Sequence, residues 1–199
     1  MLKVFNMEQG SSEWFKIRCG IPTASEFDCI INSKGESSKQ REKYLYRLAG
    51  ERITKCSEET YQSEDMVRGK KLESEARDYY SFAKGIKVAQ VGFCLQGKPG
   101  YGCSPDGICG KPGILEIKCP IISTHVEYLL GNKLPVKYFV QTQGQLLVTG
   151  KDWLDFMSYF PDLKPLIIRV KPDRVFQVKL KKELESFCED LAKLVKKIK

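Results

Sequence analysis

Apolar residues recur every three to four positions in five stretches of the chain and every second position in others, so helices and strands interleave. Tyr44, Leu45, Leu48 and Ala49 form one stripe and predict a helix over residues 38–53. Leu72, Ala76, Tyr79 and Tyr80 predict a second over 67–83, and shorter helices follow over 123–130 and 136–148. Leu184, Phe187, Cys188, Leu191, Leu194, Val195 and Ile198 mark a C-terminal helix. Upstream, Thr23 followed three residues later by Glu26 reads as a capping box, opening a helix that buries Phe27, Ile30 and Ile31.

Between residues 86 and 119 the pattern changes. Gly and Pro punctuate short β-prone runs, IKVAQVGFCL and then GYGCSPDGICGKPGILEIKCP, which predicts strands joined by tight turns. WLDFMSYF and PLIIRV read as further strands, and the alternation in RVFQVKL as a short last one. This order predicts an α/β (α+β) fold, helices flanking a central mixed β-sheet. A length of 199 residues without repeats or a Gly/Ser linker fits one domain over 1–199, its core about 13–160 and a C-terminal strand and basic helix over about 165–199.

Composition narrows the classes. No apolar run approaches the roughly 20 residues needed to span a bilayer, and MLKVFNMEQG lacks a secretory core, so a soluble, intracellular protein without a membrane partner is expected. Eight scattered cysteines without an export signal read as reduced thiols. With no CxxC pair and one histidine, His125, neither zinc nor an iron–sulfur cluster is expected, and His125 itself reads as a surface or capping residue. The net charge is +8, and residues 164–199 carry eleven Lys and Arg against five acids, which makes polyanions candidate partners. A basic face of this kind also serves simply to keep a protein soluble.

Candidate chemistry concentrates in residues 104–120, SPDGICGKPGILEIKCP. In a strand over 114–118, the two-residue period sends Leu115 and Ile117 to one face and Ile114, Glu116 and Lys118 to the other. A turn around residues 107–113 folds Asp106 back toward Glu116. Two carboxylates beside a lysine offer hard oxygen ligands for Mg²⁺ and a cation for a water or a developing charge, which suits metal-assisted phosphodiester hydrolysis. The same spacing also describes an ordinary exposed hairpin.

SPDG followed by LEIKCP resembles the PD-(D/E)xK nuclease core, in particular the phage lambda exonuclease and YqaJ-like viral recombinase family. Three further stretches resemble that family in the same order: EWFKIRCGIPTASEF (13–27), RGKKLESEAR (68–77) and YFVQTQGQLLVTG (138–150). The resemblance implies a Mg²⁺-dependent 5′ to 3′ exonuclease on double-stranded DNA ends, with Mn²⁺ able to substitute. It further implies a homotrimer, a single-strand annealing protein as partner, and work in the cytoplasm of a host cell or the nucleus for a eukaryotic virus.

Residue by residue, it implies Asp106, Glu116, the Ile117 carbonyl and Glu73 as metal ligands, Lys118 as the group that orients or activates water, and Gln141 as an active-site glutamine. Arg18, Ser25 and Ser104 match positions that hold the terminal 5′-phosphate. Several alternatives stay open on the residues themselves. Glu75 competes with Glu73, and Glu73 also fits a solvated partner of Arg77. Gln143 competes with Gln141, because Phe139, Val140, Leu146 and Leu147 surround it on a helical wheel. The rival functions are a structure-specific or Cas4-like endonuclease on the same core and a catalytically silent DNA-end-binding protein.

Overall fold

The computed structural model describes residues 1–57, 63–97 and 100–199. Its centre is a five-stranded mixed sheet built from β2 (Val88–Ala89), β5 (Gly107–Cys109), β6 (Gly113–Lys118), β7 (Trp153–Ser158) and β8 (Leu166–Val170), in the order β2-β5-β6-β7-β8. Only β6 and β7 run parallel, pairing Glu116 with Phe156 and Lys118 with Ser158. That pairing needs a crossover, which α4 (Ile122–Gly131) and α5 (Phe139–Thr149) supply. A second, antiparallel sheet holds β1 (Leu2–Phe5), β3 (Phe93–Gly97) and β4 (Gly100–Cys103) in the order β1-β3-β4, so the strands expected in one sheet divide between two.

β6 alternates as its sequence requires. Leu115 and Ile117 pack with Ala76 and Tyr80 of α3 (Glu64–Lys84), while Ile114 packs with Leu146, Leu154 and Phe156 on the opposite face. At Gly69 of α3 a Cβ would stand 3.1 Å from the Cys119 carbonyl oxygen, so the missing side chain lets this helix lie close to the end of β6. The largest cluster lies elsewhere, where α2 (Arg41–Thr54) and α6 (Arg174–Ile198) meet, with Tyr44 stacked on Phe187 at 5.4 Å between ring centres.

Three further expectations change. Thr23 precedes a six-residue 3-10 helix, Ala24–Cys29, and its side chain makes no capping bond: the Glu26 N–H donates to the Thr23 carbonyl at 2.9 Å, and the Glu26 side chain pairs with Arg47. RVFQVKL is the start of α6 rather than a strand: the Asp173 side chain accepts from the Phe176 N–H at 2.9 Å, and Phe176, Leu180 and Leu184 carry the buried stripe onward while Val175 and Val178 stay exposed. His125 is fully buried, its Nδ1 2.8 Å from Ser158 Oγ and its Nε2 3.1 Å from the Lys164 carbonyl, pinning α4 to β7. α1 (Ser12–Arg18) and β1 lie in a region where the periodicity is too short to predict either.

Candidate active site

The hairpin of β5 and β6 brings Asp106 to Glu116. The Asp106 N–H donates to the Leu115 carbonyl at 3.0 Å, and the Asp106 carboxylate accepts from the Ile117 N–H at 2.6 Å, so the backbone fixes this side chain at the head of the hairpin. Glu116 points to the other face of β6 from Leu115 and is only 2% exposed. Lys118, two residues on and therefore on the same face, places Nζ 2.6 Å from Glu116 Oε1.

A buried carboxylate needs donors, and α5 supplies two. Gln141 Nε2 donates to Glu116 Oε1 at 2.5 Å, and Gln145 Nε2 donates to Glu116 Oε2 at 2.6 Å. Gln143 is engaged elsewhere: its side chain bonds the Lys171 carbonyl and the Asp173 N–H and so ties α5 to the start of α6. The wheel that favoured Gln143 assumes one apolar face, whereas α5 is buried on nearly all sides. Gln145 carried no signal of its own in the sequence; four residues after Gln141, it occupies the same helix face one turn on.

α3 brings Glu73 to the same cleft as Asp106. Glu73 forms no ion pair with Arg77 among the described residues, since Arg77 donates to the Asp106 carbonyl at 2.9 Å. Glu75 faces away and accepts from the Tyr159 hydroxyl.

The cleft, about 830 Å³, also receives Arg18, Arg47 and Lys70. Arg18 lies 3.9 Å over the Trp14 ring and donates to Ser104 Oγ at 2.9 Å, and Trp14 Nε1 donates to the same hydroxyl at 3.0 Å. No acid forms a salt bridge with Arg18 among the described residues. Ser104 stands two residues before Asp106, so the chain itself links the arginine to the carboxylates. Ser25 is not part of this contact; it is exposed and lies 3.2 Å from Thr23 Oγ1.

Charge crowding shows in the proton affinities. Burial, then the charge of Glu116, holds the Asp106 carboxyl well above the ordinary carboxylate range. Glu73 is raised by burial too, with Lys118 opposing and Glu116 adding to the rise. For Lys118, burial alone would favour loss of the proton, but Glu116 and Asp106 outweigh it and the ammonium is strengthened. Such a set of acidic groups, hard to ionise together, calls for positive charge. Among the described residues no three His, Cys, Asp or Glu side chains converge on one point as a protein cage for a metal would require. Two carboxylates with a third at the cleft wall instead fit a cation such as Mg²⁺, which keeps waters and takes only one or two carboxylates from the protein.

Residues 13–152 match the model of the YqaJ-like viral recombinase domain. The chain belongs to this family. An alkaline exonuclease from Laribacter hongkongensis (LHK-Exo) is 32% identical and superposes with a TM-score of 0.84, over 94% of this chain and 96% of that one; its complex with dAMP matches equally. A phage-related exonuclease from Haemophilus somnus 129PT shares the fold at 13% identity and a TM-score of 0.69, over 90% and 96% of the two chains. Uncharacterized protein R354 of Acanthamoeba polyphaga mimivirus is 28% identical over 173 residues, 78% of this chain; the chain spans 30% of that relative's length.

Proposed function

We propose that the chain is a Mg²⁺-dependent exonuclease that degrades one strand of duplex DNA from its 5′ end and leaves a 3′ single strand. The observation that carries this reading is that Asp106, bonded to the Ile117 N–H between the paired Glu116 and Lys118, lines a cleft that also receives Glu73 and Arg18, a cation that forms no salt bridge among the described residues. Family membership and the whole-chain likeness to an alkaline exonuclease support it.

In this reading Asp106, Glu116, the Ile117 carbonyl and Glu73 hold Mg²⁺ or, as a substitute, Mn²⁺. When bound, the cation polarises the scissile phosphate and makes water a stronger nucleophile. Lys118 contributes a fixed ammonium beside the developing negative charge or the attacking water, and Gln141 holds Glu116 in place. Arg18 with Ser104 grips the terminal 5′-phosphate, a charge-assisted contact stiffened by the Trp14 ring beneath the guanidinium. Ser25 joins them only through a bound phosphate, and the 3-10 helix that carries it is too short to add much of a dipole. Each cut exposes a new 5′-phosphate for the same pocket, which gives direction.

The proposal extends to work inside a cell and, by the family resemblance, to a homotrimer and a single-strand annealing partner. The test is digestion of linear duplex with 5′-phosphate or 5′-hydroxyl ends beside a closed circle, with Mg²⁺ or EDTA. The reading predicts Mg²⁺-dependent loss of the linear 5′-phosphorylated substrate alone. Cutting of the circle at a similar rate supports the endonuclease reading instead, and binding of ends without any cleavage supports a silent end-binding protein.

A further inference from the structure

We infer that Gln145 is a positioning residue of the proposed reaction, anchoring Glu116 by Oε2 so that Oε1 is the oxygen that exchanges its partners for a divalent cation. This rests on the metal-dependent nuclease reading above.

The two oxygens of Glu116 are held differently. Oε2 accepts from Gln145 Nε2 at 2.6 Å, while Oε1 accepts from Gln141 Nε2 at 2.5 Å and faces Lys118 Nζ at 2.6 Å. The partners of Oε1 reach solvent, for Gln141 is half-buried and the Lys118 side chain is 29% exposed. Gln145 is 1% exposed. Its backbone is equally confined: the neighbouring Gly144 packs so tightly on the 3-10 helix that a Cβ there would stand 2.5 Å from Phe27, and Leu146 is buried against Ile114 and Leu154.

The second observation is an orphan. Gln145 Oε1 is buried and has no hydrogen-bond donor among the described residues. A buried amide ordinarily turns to satisfy both ends, so this orientation is dictated by Glu116 and not by the needs of Gln145 itself. Only the NH₂ end is tolerated beside a carboxylate, and turning it would set two acceptors against each other. The donors on Oε1 reach solvent and the donor on Oε2 does not, so Oε1 is the oxygen that a divalent cation would approach. The carboxylate then meets the cation without searching rotamers.

Gln145→Met preserves length and packing and removes the donor; Gln145→Asn keeps an amide but falls one methylene short of Glu116. Three readouts on the full chain separate positioning from packing: Mn²⁺ affinity by calorimetry without DNA, kcat and KM for linear duplex with Mg²⁺, and a thermal melt. Loss of an outer hydrogen bond to a metal ligand typically weakens metal binding or turnover by about 10- to 100-fold. Both variants are therefore expected to bind Mn²⁺ roughly tenfold or more weakly and to lose kcat by a similar factor, with KM for DNA within about twofold and a cooperative melt. Wild-type Mn²⁺ affinity and kcat in either folded variant would overturn the inference while leaving the nuclease reading intact. Failure of the wild type itself to bind Mn²⁺ and to cut DNA would overturn the nuclease reading, and this inference with it.

Discussion

Glu116 illustrates how one strand position concentrates chemistry. The two-residue period of β6 was legible and placed Glu116 and Lys118 on one face, as the 2.6 Å contact between them shows. What the sequence concealed was the donor set from α5, because a helix buried on all sides has no apolar stripe from which its orientation is read. Asp106→Asn keeps an acceptor for the Ile117 N–H, and Lys118→Met keeps the stem of the lysine, so both should fold. Each should lose at least about a hundredfold in kcat, measured with Mg²⁺ on linear duplex, since each removes a group to which the proposed function gives a role in the transition state. Arg18→Ala should lower the preference for 5′-phosphate over 5′-hydroxyl ends at least tenfold, the equivalent of about 1.5 to 3 kcal/mol for a charge-assisted contact. Proton linkage gives a check that needs no catalysis. The Asp106 carboxyl is raised in the folded protein, so the folded state holds a proton that the unfolded chain releases near pH ~3.9, and stability is lost as pH rises through the window above that value. In EDTA the melting midpoint of the wild type should therefore fall more steeply toward alkaline pH than that of Asp106→Asn, and Mg²⁺ should shrink the difference.

Whole elements were legible where periodicity ran long. α2, α3 and most of α6 follow their apolar stripes, and the β5–β6 hairpin follows its Gly and Pro turn. RVFQVKL misleads because Val175, Phe176 and Val178 are all apolar, and a short alternating run fits either period; Asp173 decides for helix by capping Phe176. Asp173→Ala should cost about 1 kcal/mol in a denaturant melt and leave the site intact, as expected for a lost cap. The 3-10 segment after Thr23 also escaped, since a capping box predicts that a helix starts without saying how it continues. Gly144 was unremarkable in the sequence but decides the packing of α5: Gly144→Ala should push that helix off Phe27 and destabilise the protein by about 1 to 3 kcal/mol, as overpacking does.

At the scale of the molecule, α1, α2, α3 and the segments beside them line one cleft in which cations and carboxylates are interleaved. The basic excess noted in residues 164–199 is not what lines this cleft; Arg18, Arg47, Lys70 and Arg77 come from α1, α2 and α3, earlier in the chain. Net charge pointed to a polyanion, and the fold decides which cations face the site. DNA affinity should fall steeply and log-linearly with salt as phosphate contacts release counterions. No helix among the described residues is long and apolar enough to cross a membrane. Directional digestion from a 5′-phosphate is tested by following the two ends of one strand. A linear duplex carrying distinguishable labels on the 5′-terminal and 3′-terminal nucleotides of one strand is digested with Mg²⁺, and the released products are timed. The 5′ label is expected to leave first as a mononucleotide and the 3′ label of the same strand last. Release of the 3′ label first, or of internal fragments before either, would contradict it.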